Sequence, residues 1–149
     1  VDYVSLNEPD REGRIIVPHT LVWTGLRWHV RGWCEKNQDY RDFVLSRFRG
    51  EPEVLDASDH TGASDDDWHT LVTIEIAPDP RLTADQQAVV AHDYGMTDGK
   101  WQLSVRAKLL PYLLLLLRLD PTQVMEDPRA QQIVIVNQGD VKAWLFPSG

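Results

Sequence analysis

Short alternations of apolar and polar residues, separated by glycine-bearing turns, dominate the first fifty residues of this 149-residue chain. Successive side chains of a β-strand point to opposite faces, so each alternation predicts a strand with one apolar side. Pro18 lies inside the second of these segments and predicts an edge position or a bulge, because proline has no N–H to donate. So many short strands in so few residues favour a small closed or nearly closed barrel. The alternating segments are residues 2–6, 14–23, 28–35 and 40–50.

The segment RWHVRGW, residues 27–33, places a cationic or protonatable side chain at every second position. On a strand these side chains share one face, and Trp28 and Val30 are then expected to point into the core. The residues on the shared face are Arg27, His29 and Arg31.

Two arginines of the following segment, Arg41 and Arg47, share one parity. If both strands belong to one sheet, these arginines and Arg31 are expected to converge with His29. Four such groups repel one another unless an anion or several carboxylates lie among them. A guanidinium pairs two oxygens at once, as a phosphate or a carboxylate presents them. The hydroxyl of Ser5 and the imidazole of His19, on neighbouring segments, would complete a phosphate-sized site. The predicted ligand-binding residues are Ser5, His19, His29, Arg31, Arg41 and Arg47.

An alternative interpretation gives these arginines no ligand. They would then face solvent and pair with nearby acids, namely Glu35, Asp39 and Asp42. The alternation by itself does not decide between an anion site and solvated ion pairs.

Negative charge is concentrated in one part of the chain, which has a formal charge of -8 and seven acids with no Lys or Arg at residues 51–68. A chain this acidic lacks the broad basic face that grips duplex phosphates, so any anion site must be a local pocket. Residues 51–67 are interpreted as a solvated linker between domains at 1–50 and 68–149. Asp65, Asp66 and Asp67 lack the ligand spacing of a calcium-binding EF-hand loop, and no metal site is expected.

The second half has the pattern of a compact α/β sandwich with its helices on one face of a small sheet. Thr83 is the expected N-cap of a helix and Gly95 its C-terminal glycine. The leucine-rich run at 109–119 is apolar nearly all round, and a membrane span needs ~20 such residues. We therefore expect this run to be buried or shared with a second copy in a homodimer. Strands are expected at 68–78, 100–108, 131–140 (with a turn) and 141–146.

Several classes of function find no support in the residues. A single cysteine, Cys34, excludes an internal disulfide and favours a reducing, cytoplasmic location, and the N-terminus is unlike a signal peptide. No Walker, dinucleotide, Gly-x-Ser-x-Gly or paired zinc-ligand motif occurs, so no cofactor, no metal and no catalytic residue is expected. A phosphoester hydrolase using His19 or His29 would need a carboxylate or metal partner that the sequence does not place.

The first fifty residues resemble a WYL domain. That family has a first-strand Tyr-x-Ser, an Arg-x-x-x-Pro segment, a Trp-Tyr-Leu-like triplet and an Arg-x-Phe strand ending in another Arg. The similar residues here are, in that order, Tyr3-Val4-Ser5, Arg14 to Pro18, Trp28-His29-Val30, and Arg41 to Phe43 with Arg47-Phe48. His29 and Val30 depart from the Tyr and Leu of the family name. The blocks Pro18-His19, Arg27-Trp28-His29 and Arg41-Asp42-Phe43 are similar to those of a subgroup of regulators associated with phage-defence islands. Residues 69–120, with the block Ala91 to Met96, resemble the extension that follows the WYL domains of those regulators.

The resemblance implies an SH3-like (Sm-like) barrel that binds an anionic regulatory ligand, such as a nucleotide or a short oligonucleotide, at the six residues given above. It also implies a C-terminal domain used in dimerisation. DNA binding is expected only through an N-terminal winged helix-turn-helix that these 149 residues do not contain. The expected function is the ligand-sensing portion of a transcriptional regulator, without membrane attachment. A dimerisation module without a ligand and the His-dependent hydrolase remain alternatives.

Overall fold

The protein is a mixed α/β chain of small antiparallel sheets and few helices. A computed structural model describes residues 1–7 and 12–145 and separates two compact units between Trp68 and His69. Within the described residues the strands form three sheets of three strands each. The elements up to the boundary are β1 (Asp2–Tyr3), β2 (Glu12–Gly13), β3 (Ile16–Trp23), β4 (Trp28–Cys34), β5 (Asp39–Val44), β6 (Phe48–Arg49) and α1 (Asp66–His69).

The strands of the first unit pair as two separate sheets, in the orders β2-β1-β6 and β3-β4-β5. No closed barrel is found within the described ranges, and the expected SH3-like barrel is not confirmed. Closure needs a continuous ladder of hydrogen bonds around all strands. The strands β1, β2 and β6 are each two residues long, which is too short to extend the ladder of the larger sheet.

The hairpin β3–β4 contains the bulge that Pro18 predicted. Its register shifts from Pro18 opposite Gly32 to Thr20 opposite Arg31, which leaves His19 as the extra residue. A bulged strand bends locally and re-aims the side chain of the extra residue. Gly32 is required at this point, because a Cβ atom there would lie 2.5 Å from the carbonyl oxygen of Val17.

The apolar core of the first unit lies on one side of β4, where Val30 and Cys34 pack against Tyr3 and Phe43. The expected inward position of Val30 is thereby confirmed. The same expectation for Trp28 is wrong, since 49% of this side chain is exposed. Trp28 begins β4 beside the hairpin turn, beyond the packed part of the sheet, and its ring contacts that of Trp23 with centroids 5.4 Å apart.

The acidic segment differs from a uniformly solvated linker. Residues 51–59 are exposed and have no helix or strand. Near the end of the segment, however, Asp65 and Trp68 are buried, and both belong to the first unit. The solvated interpretation therefore fails at Asp65, whose charge is matched by partners inside the unit.

The second unit is a three-stranded sheet with helices against one face. Its strand order is β8-β7-β9, and alternate residues of the central strand, Val72, Ile74 and Ile76, are buried. These side chains form one core with Val90 and Leu110 from two of the helices. The elements are β7 (Leu71–Pro78), α2 (Ala84–Asp93), β8 (Trp101–Arg106), α3 (Leu110–Leu117), β9 (Ile133–Ile135) and α4 (Gln138–Lys142).

The predicted ends of α2 are confirmed. Thr83 caps the helix by accepting a hydrogen bond from the backbone of Gln86, whose side chain in turn accepts one from the backbone N–H of Thr83. Gly95 follows the helix with a φ of 63°, in the left-handed region that glycine adopts without steric cost.

Three features of the second unit depart from the expectation. Trp68 and His69 end α1, so the first strand begins later, at Leu71. Residues 138–142 form α4 where a turn and a further strand were expected, because a helical turn fully buries Val141. Phe146, the last residue of that expected strand, lies outside the described residues.

The leucine-rich run is helical over α3 but only partly covered. Leu110 and Leu114 are buried, whereas Leu115 and Leu116 are each 68% exposed. Across the described ranges, no helix combines the length and the apolar character that crossing a membrane requires.

Candidate functional site

The candidate site is the face of the sheet β3-β4-β5 that carries His29 and Arg31. Directly opposed residues of an antiparallel sheet share a face. Arg31 lies opposite Asp42 on one side and Thr20 on the other, so these side chains lie with His29 on what we call the His29 face. Arg31 is 2% exposed and His29 is 5% exposed.

The guanidinium of Arg31 is already paired. Its Nε donates to Oδ2 of Asp65 at 2.7 Å and its Nη2 to Oδ1 at 2.9 Å. This is the two-pronged geometry in which arginine binds carboxylates and phosphates most strongly. A longer bond of 3.4 Å joins Nη1 to Oδ1 of Asp42, which confirms that acid as one partner of the alternative interpretation.

His19 binds the same carboxylate from the bulge of β3. Its Nε2 lies 2.9 Å from Oδ2 of Asp65, and its Nδ1 lies 2.7 Å from Oγ1 of Thr20. An ionised carboxylate only accepts hydrogen bonds, so Nε2 is the donor in this pair. The ring is further packed edge-on against Tyr40 and Trp68, with centroids 5.8 and 5.9 Å apart.

Asp65 reaches this position through the short turn that precedes it. Residues 62–64 form a single 3-10 turn, and the N–H of Trp68 donates to Oδ1 of Asp65 at 3.3 Å. Gly62 allows the close approach, since a Cβ atom there would lie 3.1 Å from the His19 ring. The sequence GASDDDW therefore folds so that one of its three consecutive acids points inward.

The electrostatics agree with a closed ion pair. Burial alone would raise the pKa of Asp65, but hydrogen bonds from Arg31 and His19 outweigh it and hold that pKa below its ordinary value. Burial alone would lower the pKa of Arg31, but the bond to Asp65 and the charge of Asp42 raise it. Both groups are therefore charged at neutral pH.

His29 experiences the opposite influence. Burial lowers its pKa most and the positive charge of Arg27 lowers it further, whereas the charge of Asp42 opposes this with an effect larger than the remaining lowering by Arg47. Arg47 lies in the 3-10 turn after β5, and its carbonyl oxygen accepts a hydrogen bond from the N–H of Val4, the neighbour of Ser5. The surroundings of His29 are thus locally cationic.

The structure does not bring Arg41 to this face. The register places Arg41 opposite Gly32, one residue out of step with Arg31, so its side chain projects from the other face of the sheet. Arg41 is exposed. The expected convergence of Arg31 with Arg41 therefore does not occur, because parity within one strand cannot set the register between two strands.

Sequence reasoning missed Asp65. The acidic composition of residues 51–67 predicts a solvated linker, and Asp66 and Asp67 are exposed as that interpretation expects, whereas Asp65 is buried. The signal that could have located it was the argument that clustered cations require carboxylates among them. Residues far apart in the chain supply those carboxylates, and local patterns do not contain that information.

No group of three or more His, Cys, Asp or Glu side chains that could hold a metal occurs in the part of the chain that the structure describes. A cavity of about 630 Å³ lies in the second unit, where its lining includes Leu71, Glu75, Asn137 and Trp144. None of the predicted ligand-binding residues lines it.

Two family models match the chain, one for each unit. Residues 1–51 match the WYL domain, and residues 71–141 match the C-terminal dimerization domain of the BrxR transcriptional regulator. A solved structure, the proteasome accessory factor B/C (PafBC) of Arthrobacter aurescens, is 20% identical with a TM-score of 0.35 and covers 96% of this chain and 23% of that one. This likeness is too weak to bear on the fold.

The chain is also similar to proteins named DNA-binding transcriptional repressor CapW. The protein of Stenotrophomonas maltophilia is 37% identical over 145 residues, which are 97% of this chain and 48% of that protein. The protein of Pseudomonas aeruginosa is 36% identical over 143 residues, which are 95% and 47%. This chain thus spans about half the length of these relatives. Its residues 1–51 are a WYL domain, and residues 71–141 form a C-terminal dimerization domain of the BrxR type.

Proposed function

We propose that this chain is the ligand-sensing and dimerisation portion of a DNA-binding transcriptional repressor, with no enzymatic activity of its own. The observation that supports this is the similarity to relatives named DNA-binding transcriptional repressor CapW, which runs through both units. DNA contacts would be made by a part of the protein outside these 149 residues. The net negative charge of this chain agrees with DNA binding by another part of the protein, because negative charge repels DNA phosphates.

Dimerisation is assigned to the second unit. The description of the family model supports this, as do the adjacent exposed leucines of α3, Leu115 and Leu116. Large apolar side chains exposed next to each other often mark an interaction surface. Light scattering after size-exclusion chromatography is expected to report a dimer that Leu116→Glu weakens. Val54→Glu, at an exposed position of the first unit, is the matched control, and equal masses for both variants would contradict this role of α3.

An anionic ligand, a nucleotide or a short oligonucleotide, is assigned to the His29 face. It is supported by the position of the buried Arg31 two residues from His29 on one face of β4, and by the charges of Arg27 and Arg47, which lower the pKa of His29 against the opposing charge of Asp42. Arg47 would bind a phosphate group, and His29 and the neighbouring hydroxyl of Ser5 would orient it by hydrogen bonds. Arg31 and His19 would join this site only after release from Asp65. Arg41 is left out, because it projects from the opposite face.

The ligand assignment is tested by calorimetric titration with nucleotides and short single-stranded oligonucleotides. A lost hydrogen bond between charged groups is worth about 1.5–3 kcal/mol, so Arg47→Ala is expected to weaken binding by roughly 10- to 100-fold. Arg41→Ala removes an equal charge from the other face and is expected to leave the affinity unchanged. Equal affinities of the wild type, Arg47→Ala and Arg41→Ala would overturn the assignment.

A second candidate, a dimerisation module without a ligand, is favoured by one observation. Asp65 and Asp42 already neutralise Arg31, so this arginine needs no external anion. This candidate predicts that no nucleotide binds the first unit and that arginine substitutions change only stability. The same titration separates the two.

A further inference from the structure

The contacts of Asp65 reproduce, inside one chain, the way arginine and histidine bind an external anion. We propose that residues 60–68 act as a built-in competitor, with the Asp65 carboxylate occupying the Arg31–His19 pair until a phosphate-bearing ligand displaces it. This inference rests on the proposed function, in which an anionic ligand binds the His29 face. It adds the regulation of that site, an intramolecular contact that a ligand must open.

The geometry of the pair leaves no room for a second anion. Both carboxylate oxygens of Asp65 are engaged, by Nε and Nη2 of Arg31 at 2.7 and 2.9 Å and by Nε2 of His19 at 2.9 Å. Asp65 is 1% exposed. A phosphate group presents two oxygens to a guanidinium in the same way. A phosphate and Asp65 would therefore compete for the same donors.

The segment that carries Asp65 contacts the sheet at further points, one of which is the buried Trp68, whose ring lies edge-on to His19 with centroids 5.9 Å apart. The ring of His60 stacks on Trp33 with centroids 3.9 Å apart, and the hydroxyl of Tyr40 donates to the carbonyl oxygen of Thr61. The preceding residues 51–59 are exposed and lack helix or strand, so residues 60–68 can move away from the sheet without disrupting a helix or strand before them. Because the segment stays joined to the chain, the released carboxylate remains at a high effective concentration, and it returns when the ligand leaves.

Opening by a ligand avoids the main cost of breaking a buried ion pair. That cost arises because one partner remains buried and unpaired. A phosphate replaces the carboxylate on Arg31, and Asp65 moves into water, where its charge is solvated. The observed affinity for the ligand is then the intrinsic affinity reduced by the fraction of molecules that are open. Removing the charge of Asp65 is expected to remove this reduction.

The experiment compares phosphate and pyrophosphate binding by the wild-type chain, Asp65→Asn and Asp59→Asn. Asp59→Asn removes an equal charge from the exposed residues just before this segment and is the matched control. Asp65→Asn is expected to bind at least ~10-fold more tightly than the wild type, because its pair is no longer occupied by a carboxylate. The gain is expected to vanish in the double variant Asp65→Asn/Arg31→Gln. Unchanged affinity in Asp65→Asn would overturn the proposal.

Thermal unfolding keeps the test decisive if Asp65→Asn folds poorly. In phosphate, against chloride at equal ionic strength, the unfolding midpoint of Asp65→Asn is expected to rise more than that of the wild type. Equal rises of the two unfolding midpoints would refute the proposal that Asp65 competes with phosphate. If Arg47→Ala weakens nucleotide binding while Asp65→Asn gains no phosphate affinity, the proposed function stands and the competitor fails. If Asp65→Asn gains phosphate affinity while neither it nor the wild type binds a nucleotide, the competitor stands and nucleotides are excluded as its ligand.

Discussion

Removing Arg31 alone is expected to be among the most damaging single changes in the first unit. In Arg31→Met, the carboxylate of Asp65 stays buried and loses both hydrogen bonds from the guanidinium. His19 and the N–H of Trp68 remain as partners. Breaking a buried pair from one side costs about 3–5 kcal/mol. Since whole domains are stable by roughly 5–15 kcal/mol, this loss would leave the unit marginal.

Removing both charges is expected to cost less than removing one. In Arg31→Met/Asp65→Leu the interior has no unpaired ion, and apolar replacement of a buried pair is often neutral or stabilising by about 1–4 kcal/mol. His19 and Asp42 lose a partner in the double variant, so we expect it to recover most, though not all, of the loss. The double-mutant cycle isolates the coupling between the two residues.

Urea unfolding followed by tryptophan fluorescence is the assay, because Trp33 and Trp68 lie in the unit that carries the pair. Arg41→Met is the control, since this arginine is exposed on the opposite face. Its effect is expected to stay within about 0.5 kcal/mol. A single variant within 1 kcal/mol of the wild type, or a double variant less stable than the single, would refute the reasoning.

Three further predictions follow. The pKa of Asp65 is below its ordinary value of 3.8, so its charged form stabilises the fold above that pH, and this contribution is lost as the pH falls through the lowered pKa. The stability difference between the wild type and Asp65→Asn is therefore expected to shrink in acid. A constant difference from pH 7 to 2 would contradict this. Gly32→Ala is expected to cost about 1–3 kcal/mol through the clash with Val17, whereas Gly139→Ala, which meets nothing within 4 Å, is expected to cost nothing measurable in the same urea titration. Thr83→Ala is expected to lose about 1 kcal/mol with the cap of α2, and a thermal melt that matches the wild type would exclude a contribution of the cap.

Local features of this protein could be read from neighbouring residues. The bulge at Pro18, the N-cap at Thr83 and the terminal Gly95 follow from backbone chemistry over two to five residues, and the structure contains all of them. Such features depend on φ angles, missing donors and side-chain caps, which do not require the rest of the fold.

The leucine-rich run shows where local reasoning stops. Its composition predicted a helix without a polar face, and the helix α3 is present. Which leucines are covered is decided by the sheet against which the helix packs. Burial of Leu110 and Leu114 beside exposed Leu115 and Leu116 is a property of that packing.

The sequence by itself determined that cationic residues alternate along one strand and that they require negative charge nearby. Only the tertiary structure decided which charges meet. The register between β4 and β5 places Arg41 on the face away from Arg31, and the fold of the acidic segment brings Asp65 from 34 positions further along the chain onto its guanidinium. Register and long-range ion pairing depend on contacts between distant segments, because a carboxylate stabilises a buried arginine only where the backbone brings the two together.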